Sequence, residues 1–403
     1  MTAPSDEKRM IKTLKTEMKR EFGDHMIPFW KGMIDEEKGG YYGLLDSNLC
    51  LDKNAEKGCI LNSRIMWFFS NACMVLKDKS LLKYAEHSFK FFKNAFWDTE
   101  EGGVYWSVTS DGKPLDETKH TYCQAFQIYG LSSYYDASHD ETALSFAYQL
   151  FRIMEDKCRD ENGYLEAFDR KFIPASNEKL SENGVMAVRT MNTLLHVMEA
   201  YTELYRVLPD KDRADVVKGK LTEILEIFRN RVYDAAKQRL EVFFDKDYGS
   251  LIDLHSFGHD IEAAWLVDRT VDILGYKGTE YDMTDITDVL TEKIYGCAYN
   301  GESVPAESEN GKVLEERVWW VQCESVVGFI NGYNKDNERE DYLSAAYNIW
   351  QFIEKHFVDM RDGSEWFWGV DTDGKPMQDK EFVSPWKCPY HNGRMYFEIL
   401  KRL

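Results

Sequence analysis

Two kinds of helical stretch alternate along the whole chain, and that alternation limits what the chain can become. One kind is amphipathic with a heavily charged face, over about 7–22, 79–95, 141–156, 211–230, 283–295 and 340–357. The other is apolar nearly all round and rich in Ala, Cys, Tyr, Trp and Phe, over about 62–77, 120–135, 189–206, 258–274, 319–333 and 391–402. A helix with one charged face belongs where one side meets water, whereas a helix apolar on every side must be covered on every side. The first set therefore predicts an outer layer and the second an inner one. Inner helices begin near residues 62, 120, 189, 258, 319 and 391, a spacing of roughly 60–70 that marks an array of helical hairpins. Six outer and six inner helices predict an all-α fold, an (α/α)6 barrel in which residues 1–403 form a single domain. An open superhelix competes with it, but repeats of that kind run shorter and more alike, at about 34–47 residues.

Between the helices a theme of acid, glycine and aromatic recurs. It reads EEKGGYYGLLD at 36–46, DTEEGGVYWSVTSDGKP at 98–114 and RDENGYLEAFD at 159–169, then YDAAKQRLEVFFD at 233–245 and MRDGSEWFWGVDTDGKP at 360–376. The DG and GG dipeptides fit tight turns, so short β-hairpins are expected in these connections. In a closed ring all inner helices start on one face, and their first turns converge on one cup.

Chemically useful residues gather at those first turns. The first inner helix opens Asn62-Ser63-Arg64 and the second His120-Thr121-Tyr122, while the third carries Asn192 and His196 at i and i+4. The fourth follows Ser256-Phe257-Gly258, where Ser256 is placed to cap free backbone N–H groups. Asp260 and Glu262 lie in its first turn, where the macrodipole favours anions, and His259 beside them is biased toward its neutral form. The fifth begins Trp319-Trp320 with Glu324 one turn on, and the sixth is entered through Trp386-Lys387-Cys388-Pro389-Tyr390-His391-Asn392. Four of the nine histidines fall at these places, whereas His25, His87, His139 and His356 sit on outer or connecting segments and read as structural or solvated. Taken singly, His259 reads as a capping aid, His196 as a satisfied core histidine and the Trp pair as core. Together they do not read as core, because each buried polar group needs a partner and an apolar floor would cost less.

Other chemistries lack their residues. Hydrolases on such a scaffold work with paired carboxylates, and here imidazoles dominate. There is no GxSxG elbow, no phosphate-cradling glycine loop and no HExxH spacing, so neither a metal nor a cofactor is expected. A net charge of −20 without a basic block argues against nucleic acid and leaves a neutral small molecule as the easier partner. Aromatic residues at 14% suit both a large core and stacking against sugar faces. Eight scattered cysteines with no CxxC pair read as reduced thiols of a cytoplasmic protein. The charged amino terminus lacks an apolar signal region and no later run reaches the length of a membrane span, so no membrane is expected, and the chain is expected to be a monomer. Two neutral imidazoles and an arginine suit proton abstraction next to a carbonyl: one His removes a C–H proton, another returns it, and the cation steadies the enediolate. A carbohydrate-binding toroid without catalysis is the alternative from another class, and it would not need two proton-transfer groups.

The segments HTYCQAFQIYGLSSYYD (120–136), MNTLLHVMEAYTELY (191–205), SFGHDIEAAWLVD (256–268), WWVQCESVVGFINGY (319–333) and PWKCPYHNGRMYFEI (385–399) resemble the N-acylglucosamine 2-epimerase superfamily. Phe257 before Gly258-His259, where other branches carry PGH, resembles the branch acting on cellobiose. The resemblance implies an (α/α)6 barrel that needs no metal or nucleotide. It implies inversion of C2 of the reducing-end glucose of β-1,4-linked disaccharides such as cellobiose, and of lactose, through a cis-enediolate. It implies His259 and His391 as the acid/base pair and Arg64 and His196 as stabilisers of the enediolate. Asn192 and Tyr122 then hold the sugar, Trp320 and Trp386 contact the disaccharide, and Glu262 and Glu324 complete the binding set. An aldose–ketose isomerase or an N-acylglucosamine epimerase of the same superfamily is the nearest alternative. SENGVMAVRT (181–190) departs from the family pattern, and the resemblance carries no sugar contact there.

Overall fold

The structure, a computed structural model, describes residues 6–181 and 183–403. Residues 1–5 of the charged amino-terminal segment, and Glu182 within 181–190, lie outside the described residues. In chain order the helices are α1 (Asp6–Glu21), α2 (Ile27–Gly32), α3 (Cys59–Leu76), α4 (Leu82–Phe91), α5 (Thr121–Ser138), α6 (Glu141–Lys157) and α7 (Met191–Val207). They continue as α8 (Lys211–Ile227), α9 (Phe257–Leu274), α10 (Thr284–Cys297), α11 (Trp319–Lys335), α12 (Glu340–His356) and α13 (His391–Arg402). The short α2 extends α1 through a π turn at Phe22–Met26.

The inner ring closes. Helix α3 packs on α5, α5 on α7, α7 on α9, α9 on α11, α11 on α13, and α13 returns to α3. Around it stand α1, α4, α6, α8, α10 and α12, with α12 against α1 closing the outer layer. The architecture is the (α/α)6 barrel. Outer helices bury one stripe each, as in α6, where Ala143, Leu144, Ala147, Leu150, Phe151 and Met154 face inward. Inner helices bury nearly every side chain.

One expectation needs correcting. Helix α3, with 18 residues, is long and apolar enough to cross a membrane by length and composition. Its apolar surface is spent inside the protein, however, against α4, α5 and α13, and the helix is 78% buried.

The connections carry local hairpins, among them Ser107–Val108 with Pro114–Asp116 and Glu307–Glu309 with Lys312–Leu314, and a longer-range pairing besides. Arg159–Asp160 with Gly163–Tyr164 and Tyr233–Asp234 with Arg239–Leu240 also fold back locally. But the strand ahead of each inner helix pairs with the next connection along the ring. Lys57–Gly58 pairs with Ser107–Val108, Lys119–His120 with Ala167–Phe168, and Arg189–Thr190 with Phe243–Phe244. Leu254–Ser256 pairs with Glu307–Glu309 and Arg317–Val318 with Gly369–Val370, while a bridge between Leu45 and Val383 completes the circuit. Strands of two or three residues are too short to persist alone, and this lacing satisfies their backbone groups while fixing where each inner helix begins.

A second device repeats at the fourth residue of the inner helices. Asn62 of α3 accepts from the Tyr41 backbone N–H, and Asp260 of α9 accepts from that of Leu240. Gln124 of α5 both accepts from and donates to the backbone of Val104, as Gln322 of α11 does with Val304. Two residues ahead of α3, α5 and α7 stand buried cations that tie down the preceding acidic turn: Lys57 on Asp35 at 2.7 Å, Lys119 on Asp98 at 3.0 Å and Arg189 on Asp160 at 2.6 Å. The eight cysteines are free thiols.

Candidate active site

Helix α9 leaves the Leu254–Ser256 strand with its first turn held by Asp260, which also bonds Nε2 of His255 at 2.8 Å. Ser256 stands at the N-cap position but makes no capping bond; its hydroxyl lies 2.7 Å from Nδ1 of His259 instead. The serine thus orients the imidazole rather than the helix. Burial pushes the His259 pKa down to about 4, outweighing the opposite pull of Glu262, so the ring is neutral at pH 7. Desolvation is the largest cause of that state. Gly258 makes room: a Cβ there would stand 2.5 Å from the Trp320 indole. That indole packs against both imidazoles, its centroid 4.8 Å from His259 and 5.4 Å from His391.

His391 opens α13 with Nδ1 2.8 Å from Oε1 of Glu324, and burial holds its pKa well below the usual histidine value. His196 of α7 places Nδ1 2.9 Å from Oε2 of Glu199 and Nε2 3.9 Å from Oε1 of Glu262. Arg64 of α3 donates to the Tyr122 hydroxyl at 2.8 Å, and its guanidinium lies over the rings of Phe126 and Tyr390 at 4.0 and 4.4 Å. Tyr122 in turn touches His196 at 5.2 Å and Trp386 at 5.9 Å.

The structure therefore gathers Arg64, Tyr122, Asn192, His196, His259, Glu262, Trp320, Glu324, Trp386 and His391 at one end of the ring. Asn192 joins them by lining, with Ser256 and His259, a narrow opening of about 20 Å³. Among the described residues, Asn192 Oδ1 and Glu262 Oε2 are buried acceptors with no hydrogen-bond partner, the kind of unmet need that a ligand hydroxyl answers. Other first-turn residues do not join: Asn62 pins Tyr41, Ser63 bonds the Ile60 carbonyl and His120 faces Asn177 at 3.0 Å, while Trp319 packs on Trp368 with its ring centroid 6.2 Å from that of His391.

Sequence reasoning named Glu262 and Glu324 but missed Arg394 and Glu199, which join them in the floor of the site. Arg394, one turn below His391, donates to Glu199 at 2.7 Å and to Glu324 at 2.6 Å, and also to Glu262 and the Tyr390 hydroxyl. The signal was a step of three residues along a helix, His196 to Glu199, His259 to Glu262 and His391 to Arg394, which puts each pair on one face. Among the described residues, Glu262, Glu324 and His391 bring one ligand atom each within 4.8 Å of one another, as a metal would need. The Arg394 guanidinium already binds both carboxylates and so supplies the cation this group calls for.

A roomier cavity of about 740 Å³ opens at the opposite end of the ring, where Glu199 and Arg394 also reach. Its cations are tied to acids: Arg206 to Asp136 and Glu203, Arg269 to Glu203, and Arg402 to Glu398. Proton-transfer groups collect at the other end.

Known proteins resemble the chain in sequence and fold. Residues 40–392 match the model of the N-acylglucosamine 2-epimerase (GlcNAc 2-epimerase) family. A cellobiose 2-epimerase of Eubacterium cellulosolvens is 48% identical over 394 residues, 95% of this chain and 97% of that protein. One from Ruminococcus albus is 46% identical over 387 residues, 96% of this chain and 98% of that one. The solved structure of the cellobiose 2-epimerase from Bacillus thermoamylovorans superposes with a TM-score of 0.92 at 41% identity, covering 97% of this chain and 100% of that one. With a full-length match of this kind in both sequence and fold, the chain belongs to the N-acylglucosamine 2-epimerase family.

Proposed function

We propose that the protein is an epimerase that inverts C2 of the reducing-end glucose of cellobiose and of related β-1,4-linked disaccharides such as lactose. One observation carries the reading: His259 and His391, from α9 and α13, flank a single indole, and burial keeps both neutral. A neutral imidazole accepts a proton, an imidazolium gives one back, and two of them from different helices can serve opposite faces of one carbon. In this reading the sugar ring opens, one imidazole takes the C2 proton, and a cis-enediolate forms. The Arg64 cation and His196 steady the charge that develops on its oxygens. Rotation about C2–C3 then presents the other face to the second imidazole, which takes up a proton from solvent as the first imidazolium releases its own, and delivers it to C2. Asn192, Glu262 and Tyr122 hold hydroxyl groups, and Trp320 and Trp386 offer flat faces to the two sugar rings.

The overall sequence likeness to cellobiose 2-epimerases supports this choice of substrate. An aldose–ketose isomerase would use the same pair but return the proton to C1. Incubation of the purified protein with cellobiose, followed by chromatographic separation, distinguishes the two. Glucosyl-mannose is the expected main product. No conversion, or glucosyl-fructose as the main product, would overturn the reading.

A further inference from the structure

One buried cation is linked through carboxylates to His196 and His391 of the cup, and the reaction as written gives it no task. Arg394 binds Glu199, Glu262 and Glu324, which come from α7, α9 and α11. Two of these carboxylates bond an imidazole, Glu199 at Nδ1 of His196 and Glu324 at Nδ1 of His391, while Glu262 lies 3.9 Å from Nε2 of His196. We propose that Arg394 is a positioning residue that keeps Glu324 ionised, so that Glu324 holds the proton of His391 on Nδ1 and leaves Nε2 free to accept from the sugar. The inference rests on the proton-transfer reading of the site.

The chemistry follows from burial. Three carboxylates in a dry floor would not all stay ionised without a cation, because like charges and desolvation both favour the neutral acid. Burial does raise the pKa of Glu324, and Arg394 is the largest influence opposing it. Remove the guanidinium and Glu324 takes a proton from solvent. The neutral acid then donates its O–H to Nδ1 of His391, the imidazole proton moves to Nε2, and the nitrogen that should take the C2 proton is blocked. The titratable and charged groups that face Arg394 are Glu199, Glu262 and Glu324, with Tyr390 from the segment before α13 and Tyr129 from α5. Arg64 and His196 also act on His391.

The test compares the unmodified enzyme with Arg394→Met and Arg394→Lys on cellobiose. For Arg394→Met, kcat should fall by about 100-fold or more, as for the loss of an acid/base group, with KM within about threefold. Its acid limb should move up by about one pH unit or more, because activity returns only as Glu324 loses its extra proton. Arg394→Lys restores the charge and should bring the limb back toward that of the unmodified enzyme. If the single variant to Met does not fold, Arg394→Met/Glu199→Gln removes one charge of each sign and carries the same readout. In the unmodified enzyme, ¹⁵N shifts should place the His391 proton on Nδ1. An acid limb that stays in place in a folded variant, or a proton on Nε2 of His391 in the unmodified enzyme, would overturn the inference. Solvent label at C2 from the unmodified enzyme together with either result would sink the role of Arg394 alone and leave the proton-transfer reading standing.

Discussion

His259 and His391 are alike in charge but differently held, one by the hydroxyl of Ser256 and one by the carboxylate of Glu324. If both move protons in one cycle, neither can be spared. His259→Ala and His391→Ala should each keep the circular dichroism of the unmodified protein and each lose about 10²–10⁴-fold or more in kcat. Full turnover in either variant would remove that histidine from the mechanism. The pH profile follows from the same burial. A histidine whose pKa is lowered to about 4 stays neutral as pH falls from 7, and it charges only when pH approaches that value. The acid limb of kcat/KM should therefore lie well below the ordinary histidine pKa of about 6.5, with activity retained at pH 5.5. A limb near 6.5 would mean that the working imidazole is solvated. Because Arg394 already supplies a cation to Glu262 and Glu324, exhaustive dialysis against a chelator should leave the rate unchanged. Activity lost on dialysis and restored by a divalent cation would contradict this.

Inner helices begin where they do because their leading strands and fourth residues are tied to neighbouring connections. Gln124→Ala tests that tie: it leaves the Val104 N–H and C=O without their partner in a buried place, at a cost of about 1–3 kcal/mol of stability. Denaturant unfolding should show the loss, and an unchanged midpoint would mean that the amide bonds contribute nothing net. The helices themselves were legible in the sequence because all-round apolarity and charged faces are local patterns, each visible within its own stretch. The strand pairing was not: Lys119–His120 and Ala167–Phe168 carry no alternation, and their partnership exists only once α5 and α6 are stacked. The cations Lys57, Lys119 and Arg189 were a repeated signal two residues ahead of a helix, hidden by connections of unequal length.

Ring closure makes one site from residues far apart in the chain. Arg394 and Glu199 are 195 positions apart and meet at 2.7 Å only because α13 returns to α3 and completes the circle. That is why the first-turn residues of the site could be read from sequence while the pairing of Arg394 with Glu199 could not: each stands three residues beyond a histidine on its own helix, but nothing local names a partner on another helix. Closure also sets two imidazoles from different helices on one substrate, and this arrangement can be read in the fate of a single hydrogen. Cellobiose should be turned over in heavy water and the epimerised product examined by NMR. Two-sided transfer between His259 and His391 predicts one solvent deuterium at C2 of the new mannose unit and none at C1. Mannose formed with the substrate's own hydrogen still at C2 would contradict deprotonation and reprotonation by the two histidines.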